Sequence, residues 1–155
     1  MNEEILNFRT IAVTGHRIIE KNFDKKSLEK LFLALTEKNF DTFLIGMALG
    51  FDTLCFQILE NIRKEKDIKI IACVPCKSQS YKFSLSQKVE YDRMISVADK
   101  VIMVSVDYDE KCMQRRNEFM VNNSSGLVAY LRRDKSGTAS TVRYAEKKGI
   151  PIIRV

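Results

Sequence analysis

Short apolar runs alternate along the chain with longer stretches whose apolar residues recur at helical spacing. Residues 10–14 form a run of the first kind, rich in β-branched side chains, which predicts a buried strand. Residues 25–39 are of the second kind. Their apolar side chains occupy the i, i+3, i+4 and i+7 positions of an amphipathic helix: Leu28, Leu31, Phe32 and Leu35.

The same alternation continues to the end of the chain. It predicts strands at residues 10–14, 42–45, 68–74, 101–104, 126–131 and 151–155. It predicts helices at residues 25–39, after Gly50, at 86–98, at 110–123 and at 137–148, where Gly149 ends the last one. The helix after Gly50 is expected to turn inward Leu54, Cys55, Ile58, Leu59 and Ile62. The helix at 86–98 is expected to pack through Val89, Tyr91, Ile95 and Ala98.

Strands buried on both faces and joined by helices indicate a parallel sheet between two helical layers. The predicted fold is therefore one three-layer, Rossmann-like α/β domain with a mainly parallel sheet, covering residues 1–155. Ligands of such folds bind outside the carboxyl ends of the strands. The residues directly after each strand are thus the candidates for function.

Composition narrows the functional classes. The chain has 155 residues, of which 45% are hydrophobic and 30% charged, and no apolar run approaches the length of a membrane span. The start, Met-Asn-Glu-Glu, lacks the basic and apolar regions of a secretory signal, so we expect a cytoplasmic protein. The pair Cys73 and Cys76 has C-x-x-C spacing, but the first lies in a predicted strand and no second ligand pair accompanies them. Reduced, structural cysteines and no metal are expected.

The net charge of +6 is unevenly distributed. Residues 1–66 contain ten basic and ten acidic side chains, whereas residues 67–155 contain sixteen and ten. Such an excess is typical either of a solvated basic face or of a protein with an anionic partner, such as a phosphate-bearing small molecule or a nucleic acid. Composition alone leaves both interpretations open.

The first strand is followed by Thr14, Gly15, His16 and Arg17. Glycine lets the backbone approach a ligand, and His16 is the single histidine of the chain. Arg17 has the forked donor geometry that suits phosphate. A turn with a packed histidine and a surface arginine is the alternative.

The second strand is followed by Gly46, Met47, Ala48, Gly50 and Asp52. Two glycines at a strand-to-helix turn predict open amides at the helix N-terminus, which is a favourable position for an anion. The spacing matches neither G-x-G-x-x-G nor a P-loop, since no Walker lysine follows. A tight turn with an acidic helix start is the alternative.

Two later segments also offer polar side chains. In residues 113–123, Arg115 and Arg116 are adjacent, so one of them at most is expected to face a central pocket. After the fifth strand, Ser136, Gly137 and Thr138 open a helix with chemistry that suits a phosphate or a helix cap equally well. Because four strand ends meet at one edge of the sheet, the set together favours a phosphate-bearing ligand.

These segments also resemble a known family. Residues 14–17 (T-G-H-R), 46–52 (G-M-A-x-G-F-D), 114–121 (Q-R-R-N-E-F-M-V) and 137–145 (G-T-x-x-T-V-x-Y-A) resemble the YpsA-like family of the SLOG superfamily, across nearly the whole chain. The superfamily also contains Lonely-guy phosphoribohydrolases and the DNA-processing protein DprA. The resemblance implies a Rossmann-like fold and a pocket formed by Thr14, Gly15, Arg17, Gly46, Gly50, Asp52, Arg116, Asn117, Glu118, Gly137 and Thr138.

The resemblance further implies a nucleotide-derived ligand, either ADP-ribose or NAD-like or a cyclic nucleotide signal, bound by a sensor or sequestering protein. It also implies a homo-oligomer. No cofactor is expected apart from that ligand.

Two other functions remain open. An N-glycoside hydrolase acting on a nucleoside phosphate or ADP-ribose would use Glu118 or Asp52 as acid or base. However, the P-G-G-x-G-T-x-x-E motif of the phosphoribohydrolases is incomplete, because no carboxylate follows Gly137 and Thr138 in the first turn. A DNA-binding protein is the weaker alternative, because the basic residues are interleaved with acidic ones and no nucleic-acid motif is present.

Overall fold

The computed structural model of the protein describes residues 7–155. The acidic start at residues 1–4, on which the expectation of no secretory signal rests, lies outside the described part. After a short 3-10 turn at Asn7–Arg9, the strands are β1 Thr10–Gly15, β2 Thr42–Ile45, β3 Lys69–Val74, β4 Lys100–Met103, β5 Gly126–Tyr130 and β6 Ile152–Arg154. The helices are α1 Lys25–Glu37, α2 Phe51–Arg63, α3 Leu85–Val97, α4 Cys112–Asn122 and α5 Gly137–Lys148.

All six strands form one sheet in the order β4-β3-β2-β1-β5-β6, and every pairing is parallel. Ala12 at the centre of β1 lies beside Leu44 of β2 on one side and beside Leu127 of β5 on the other. The predicted Rossmann-like α/β class with a parallel sheet is confirmed.

Two cores of different character cover the two faces of the sheet. Side chains alternate along β1, so Ile11 and Val13 face one layer and Ala12 faces the other. The first core joins the sheet to α1, α2 and α3 and contains large aromatic side chains such as Phe43 and Phe56. The second core joins it to α4 and α5 through smaller residues. The domain therefore has the three predicted layers.

Two predictions of burial were wrong. Val89 on α3 is 63% exposed, whereas Tyr91, as expected, and Met94, which was not expected, are buried. Residues two apart on a helix point about 200° away from each other, so Val89 and Tyr91 cannot share a buried side. The strand β4 was expected to be buried on both faces, but Val101 and Met103 remain 42% and 47% exposed. The reason is that β4 is an edge strand of the sheet.

The direction in which the chain adds strands reverses at β1. Strands β2, β3 and β4 follow on one side of it, and β5 and β6 lie on the other. In open parallel sheets a crevice forms at the carboxyl edge beside such a reversal. None of the helices within residues 7–155 is long and apolar enough to cross a membrane.

Candidate functional site

A cleft of about 430 Å³ opens at the carboxyl ends of β1 and β2, between the starts of α2 and α5 and the side of α4. Most of the residues expected from the sequence line it: Thr14, Gly15, His16, Arg17, Gly46, Ala48, Asp52, Arg116, Asn117, Ser136, Gly137 and Thr138. The cleft has two parts of different character. We call Gly46, Asp52, Arg116 and Asn117 its floor, and Arg17, Arg133, Ser136 and Gly137 its rim.

Arg116 is the central residue of the floor, and only 5% of it is exposed. Its Nη1 donates to the carbonyl oxygen of Gly46 and, at 3.5 Å, to that of Cys73. Its Nε donates to Oδ1 of Asn117 at 2.8 Å. Gly46 makes this arrangement possible, because a Cβ there would lie 2.9 Å from the guanidinium carbon. Burial lowers the pKa of Arg116, opposed by attraction to Asp52.

Asp52 is the acidic residue of the floor. Its Oδ2 accepts a hydrogen bond from the amide of Ala48 at 3.1 Å. Its Oδ1 is buried and accepts no hydrogen bond from the described residues. Burial raises the pKa of Asp52 to about 6, although Arg116 and the Ala48 amide favour the charged form. A buried acceptor without a partner can bind a ligand hydroxyl or hold a proton.

His16 serves as an acceptor inside the protein. Its Nε2 accepts the amides of Arg132 at 2.8 Å and Arg133 at 3.3 Å, which requires the neutral tautomer with the proton on Nδ1. Burial lowers the pKa of His16, and the charges of Arg133 and Arg132 lower it further. The ring packs edge-on against Tyr130 at 5.7 Å. His16 therefore fixes the segment after β5 to the end of β1.

Two glycines of the site are explained by packing. A Cβ at Gly15 would overlap the ring of Phe51, so this glycine makes room for a core side chain rather than for a ligand. Gly50 has φ +80°, and a Cβ there would overlap the carbonyl of Arg17. The amide of Phe51 donates to the carbonyl oxygen of His16 at 3.1 Å. Protein acceptors therefore take the amides of Phe51 and Ala48 in this turn, and an anion site at the start of α2 stays a prediction.

The rim holds the exposed cations of the cleft. No hydrogen bond or ion pair within residues 7–155 uses the guanidinium of Arg17 or Arg133, and both line the cleft. The neighbouring Arg132 is engaged elsewhere. It lies 4.4 Å from the ring centroid of Tyr130 and donates to the carbonyl oxygen of Val155 at 2.9 Å. Of the two adjacent arginines, only Arg133 is available to a ligand.

The start of α5 completes the rim. Ser136 caps the helix by accepting the amide of Ala139 at 3.1 Å. Gly137 faces open space, since nothing lies within 4 Å of where its Cβ would be. Within the described residues, no hydrogen bond uses the amides of Gly137 and Thr138. These amides sit at the positive end of a helix dipole beside the two free arginines.

Three of the expected residues do not line the cleft: Met47, Gly50 and Glu118. Met47 is 2% exposed, and its side chain belongs to the core on the α2 face, although its φ of +63° is unusual for methionine. Glu118 follows Arg116 by two residues on α4, which turns it to a neighbouring groove. There its Oε1 accepts from Gln114 at 3.1 Å.

Sequence reasoning missed several lining residues, among them Gln79, Phe83 and Arg133. Gln79 donates to the carbonyl oxygen of Gly46 at 2.9 Å and accepts from the hydroxyl of Tyr91 at 2.9 Å. It therefore ties the loop after β3 to the floor. The one sequence signal for Gln79 is that its loop directly follows a strand, because the polar composition of the loop is typical of any surface loop.

The four cysteines are free and buried. Burial raises the pKa of Cys73 to about 12, so this thiol is a poor nucleophile at neutral pH. Within residues 7–155, no group of three or more His, Cys, Asp or Glu side chains is arranged to hold a metal ion.

Comparison with known sequences identifies relatives of the chain. The profile of the YpsA family, described as "YspA SLOG family", matches residues 11–152. The SPbeta prophage-derived protein YoqJ of Bacillus subtilis is 35% identical over 128 aligned residues, covering 73% of this chain and 74% of that protein. A UPF0398 protein of Halalkalibacterium halodurans is 27% identical over 153 residues, covering 90% and 81%.

Comparison with solved structures finds the same fold. DNA processing protein A of Streptococcus pneumoniae superposes with a TM-score of 0.68 at 19% identity, covering 95% of this chain and 50% of that one. Its Helicobacter pylori counterpart, described with a single-stranded DNA binding mode, gives 0.64 at 18%, covering 94% and 64%. The chain thus spans about half to two thirds of these larger proteins, and the likeness concerns the fold.

Proposed function

The chain belongs to the YpsA SLOG family, and we propose that its cleft binds the phosphate group of a nucleotide-derived small molecule. The rim carries this proposal. Arg17 and Arg133 have no partner within the described residues, and they lie beside the open amides of Gly137 and Thr138. Free guanidinium groups next to a helix N-terminus are a strong combination for phosphate, because both the donors and the helix dipole favour an anion.

The charge balance of the cleft supports the same ligand class. Three arginines and one aspartate line it. Asp52 carries the single negative charge among these lining residues, and it is buried with a raised pKa. The remaining field at the rim is positive and attracts anions.

The rest of the cleft suits the other parts of a nucleotide. Oδ1 of Asp52 is an unused acceptor for a sugar hydroxyl. Phe83 and Met113 supply apolar surface for a base. A volume of about 430 Å³ lies within the usual range for a small-molecule site. ADP-ribose, NAD-like molecules and cyclic nucleotides remain the candidates, with a sensor or a sequestering protein as the role, and the homo-oligomer stays a prediction.

A second candidate ligand is single-stranded DNA. It is favoured by the likeness to the Helicobacter pylori DNA processing protein A, which is described as binding that polymer. The exposed arginines of the rim would then contact the phosphate backbone. Binding of this kind weakens steeply with salt, because each phosphate contact releases counterions.

A hydrolase acting on an N-glycosidic bond is the third possibility carried from the sequence. Glu118 lies outside the cleft, so Asp52 is the carboxyl group of the lining that could act as its acid or base. Its pKa of about 6 suits that role. Recovery of a cleaved ligand distinguishes this possibility from simple binding.

The test is a thermal melting scan against ADP-ribose, NAD, AMP, cyclic dinucleotides and a short single-stranded DNA. Each ligand is recovered afterwards and checked by mass. At 100 times its Kd, a ligand stabilises the fold by about 2.7 kcal/mol, which at this size raises the Tm by roughly 5–10 °C. A shift with an intact small nucleotide supports the proposal, a shift with DNA alone favours the second candidate, and no shift at all contradicts both.

A further inference from the structure

A second groove opens beside the cleft, between α4 and α5. On α5 its lining consists of Gly137, Ser140, Thr141, Tyr144 and Lys147 together with Arg143. Gly137, Ser140, Thr141 and Tyr144 stand at i, i+3, i+4 and i+7, and Lys147 follows three residues later, so these five lie along one face of the helix. The groove has a volume of about 430 Å³, equal to that of the cleft. We call it the α4–α5 groove.

The α4–α5 groove adjoins the cleft. Met113, Asn117 and Gly137 line both of them. From Gly137 to Lys147, the helical rise of 1.5 Å per residue gives a length of about 15 Å. At Gly137 no side chain stands between the cleft and the groove, and the groove extends along α5 over a distance longer than one nucleoside.

The chemistry of the α4–α5 groove resembles that of the cleft. Arg143 and Lys147 are exposed cations, and Lys147 forms no ion pair within the described residues. Arg143 donates to the hydroxyl of Ser140 and to the carbonyl oxygen of Asp134, each at 3.3 Å, so Lys147 is the cation of the groove without a partner in the described residues. Tyr144 contributes an aromatic ring, and Glu118 is the one carboxylate among the lining residues, so the balance is positive.

The α4–α5 groove combines apolar surface with charged and hydroxyl groups that helix packing does not require. The contact between α4 and α5 is made on their inner side, where Met120, Val121, Val142 and Ala145 form the core. The groove lies outside that contact and retains hydroxyl, amide and charged groups along one helix face. Such a surface suits a nucleotide, whose base contacts apolar groups and whose phosphate contacts cations.

We propose that the α4–α5 groove holds the second phosphate-bearing unit of an elongated nucleotide ligand whose first unit occupies the cleft. The inference rests on the proposed function of the cleft and adds the length of the ligand. A small dinucleotide and the next nucleotide of a single strand share this chemistry. Lys147 contacts the second phosphate in either case.

The experiment compares the affinities of AMP, the 5′-phosphorylated dinucleotide pApA and the oligonucleotide (dT)8 for the full chain by calorimetry. Two variants alter the groove: Lys147→Glu changes its charge and Ser140→Phe fills it. The control variant Lys26→Glu makes the same charge change on exposed α1, in the opposite helical layer.

The proposal expects pApA to bind at least about tenfold more tightly than AMP, as one added charge-assisted contact predicts. Both groove variants remove that gain and leave the affinity for AMP unchanged. The control variant Lys26→Glu keeps the gain. Tight (dT)8 binding with steep salt dependence identifies a polymer, and pApA binding alone identifies a small ligand. If AMP binds but pApA gains nothing, the groove proposal fails while the cleft stands. If none of the three ligands binds, the groove proposal fails, and the wider panel of the melting scan decides whether the cleft binds another nucleotide.

Discussion

The floor and the rim of the cleft both contain arginine, yet the two parts differ in what surrounds that side chain. Arg116 on the floor is 5% exposed, and the protein itself supplies its acceptors. Arg133 on the rim is exposed, and no group within the described residues bonds its guanidinium. A satisfied buried cation maintains the architecture, whereas an unsatisfied exposed cation is available to a ligand. Changes in the floor should therefore reduce stability, and changes in the rim should reduce binding.

The largest effect is expected from Arg116→Met. The substitution removes a buried charge whose partners remain buried, including the carbonyl of Gly46 and the carboxyl of Asp52. Breaking such a group lowers the free energy of unfolding by roughly 3–5 kcal/mol. Urea unfolding measures this loss. The matched control is Arg115→Met, whose exposed side chain bonds Asp109 at the surface and should leave stability nearly unchanged. Equal losses in the two variants would contradict the distinction.

The next effect concerns the pH dependence of stability that arises from Asp52 on the floor. Burial raises the pKa of Asp52 to about 6, so the folded protein holds this proton more tightly than the unfolded chain does. The stability that Asp52 contributes is therefore greatest below pH 4 and decreases as the pH rises through 6, by roughly 3 kcal/mol in total. Asp52→Asn does not titrate. Unfolding curves from pH 4 to 7 should show wild type losing stability relative to the variant, and parallel pH profiles would refute the raised pKa.

On the rim, Arg133→Gln should weaken the binding of a phosphate-bearing nucleotide and leave the Tm of the free protein unchanged. A lost charge-assisted hydrogen bond is worth about 1.5–3 kcal/mol, or roughly 10- to 100-fold in Kd. Calorimetry with the most stabilising ligand of the melting scan measures the change. Arg132→Gln is the control, because that side chain packs on Tyr130 and binds the carbonyl of Val155. It should cost stability and little affinity.

The smallest effects distinguish Gly15, which packs against the core, from Gly137 on the rim. Gly15→Ala places a Cβ against the ring of Phe51 and should destabilise the fold by about 1–3 kcal/mol through overpacking. Gly137→Ala meets open space and should leave the Tm unchanged or raise it, since alanine favours a helix. Thermal melting of the two variants compares them directly. A larger decrease in Tm for Gly137→Ala than for Gly15→Ala would contradict the packing role of Gly15 and the open surroundings of Gly137.

The sequence predicted the fold well, because hydrophobic spacing depends on local structure. The strand β2 begins and ends where the pattern placed it, and Gly149 ends α5 with a φ of +77° as a helix C-cap. Errors of burial occurred at the edges of the fold. Val89 lies on the face of α3 opposite Tyr91, and β4 is exposed because it ends the sheet, which a one-dimensional pattern does not reveal.

The candidate site was harder to predict. Gly15, Gly46 and Gly137 look alike in the sequence, but the first makes room for Phe51, the second for Arg116, and only the third faces open space. Arg132 and Arg133 are adjacent, and only the third dimension shows that one packs on Tyr130 while the other lines the cleft. The roles of these residues depend on contacts between distant segments, which no local spacing reveals.

The most direct test of the account is the melting scan repeated with wild type and the double variant Arg17→Gln/Arg133→Gln. We predict that the two free proteins melt together and that at least one intact phosphate-bearing nucleotide raises the Tm of wild type by roughly 5–10 °C at saturation. The same ligand should give the double variant little or no shift. Equal shifts in both proteins, or none in wild type across the panel, would contradict the claim that the rim binds phosphate.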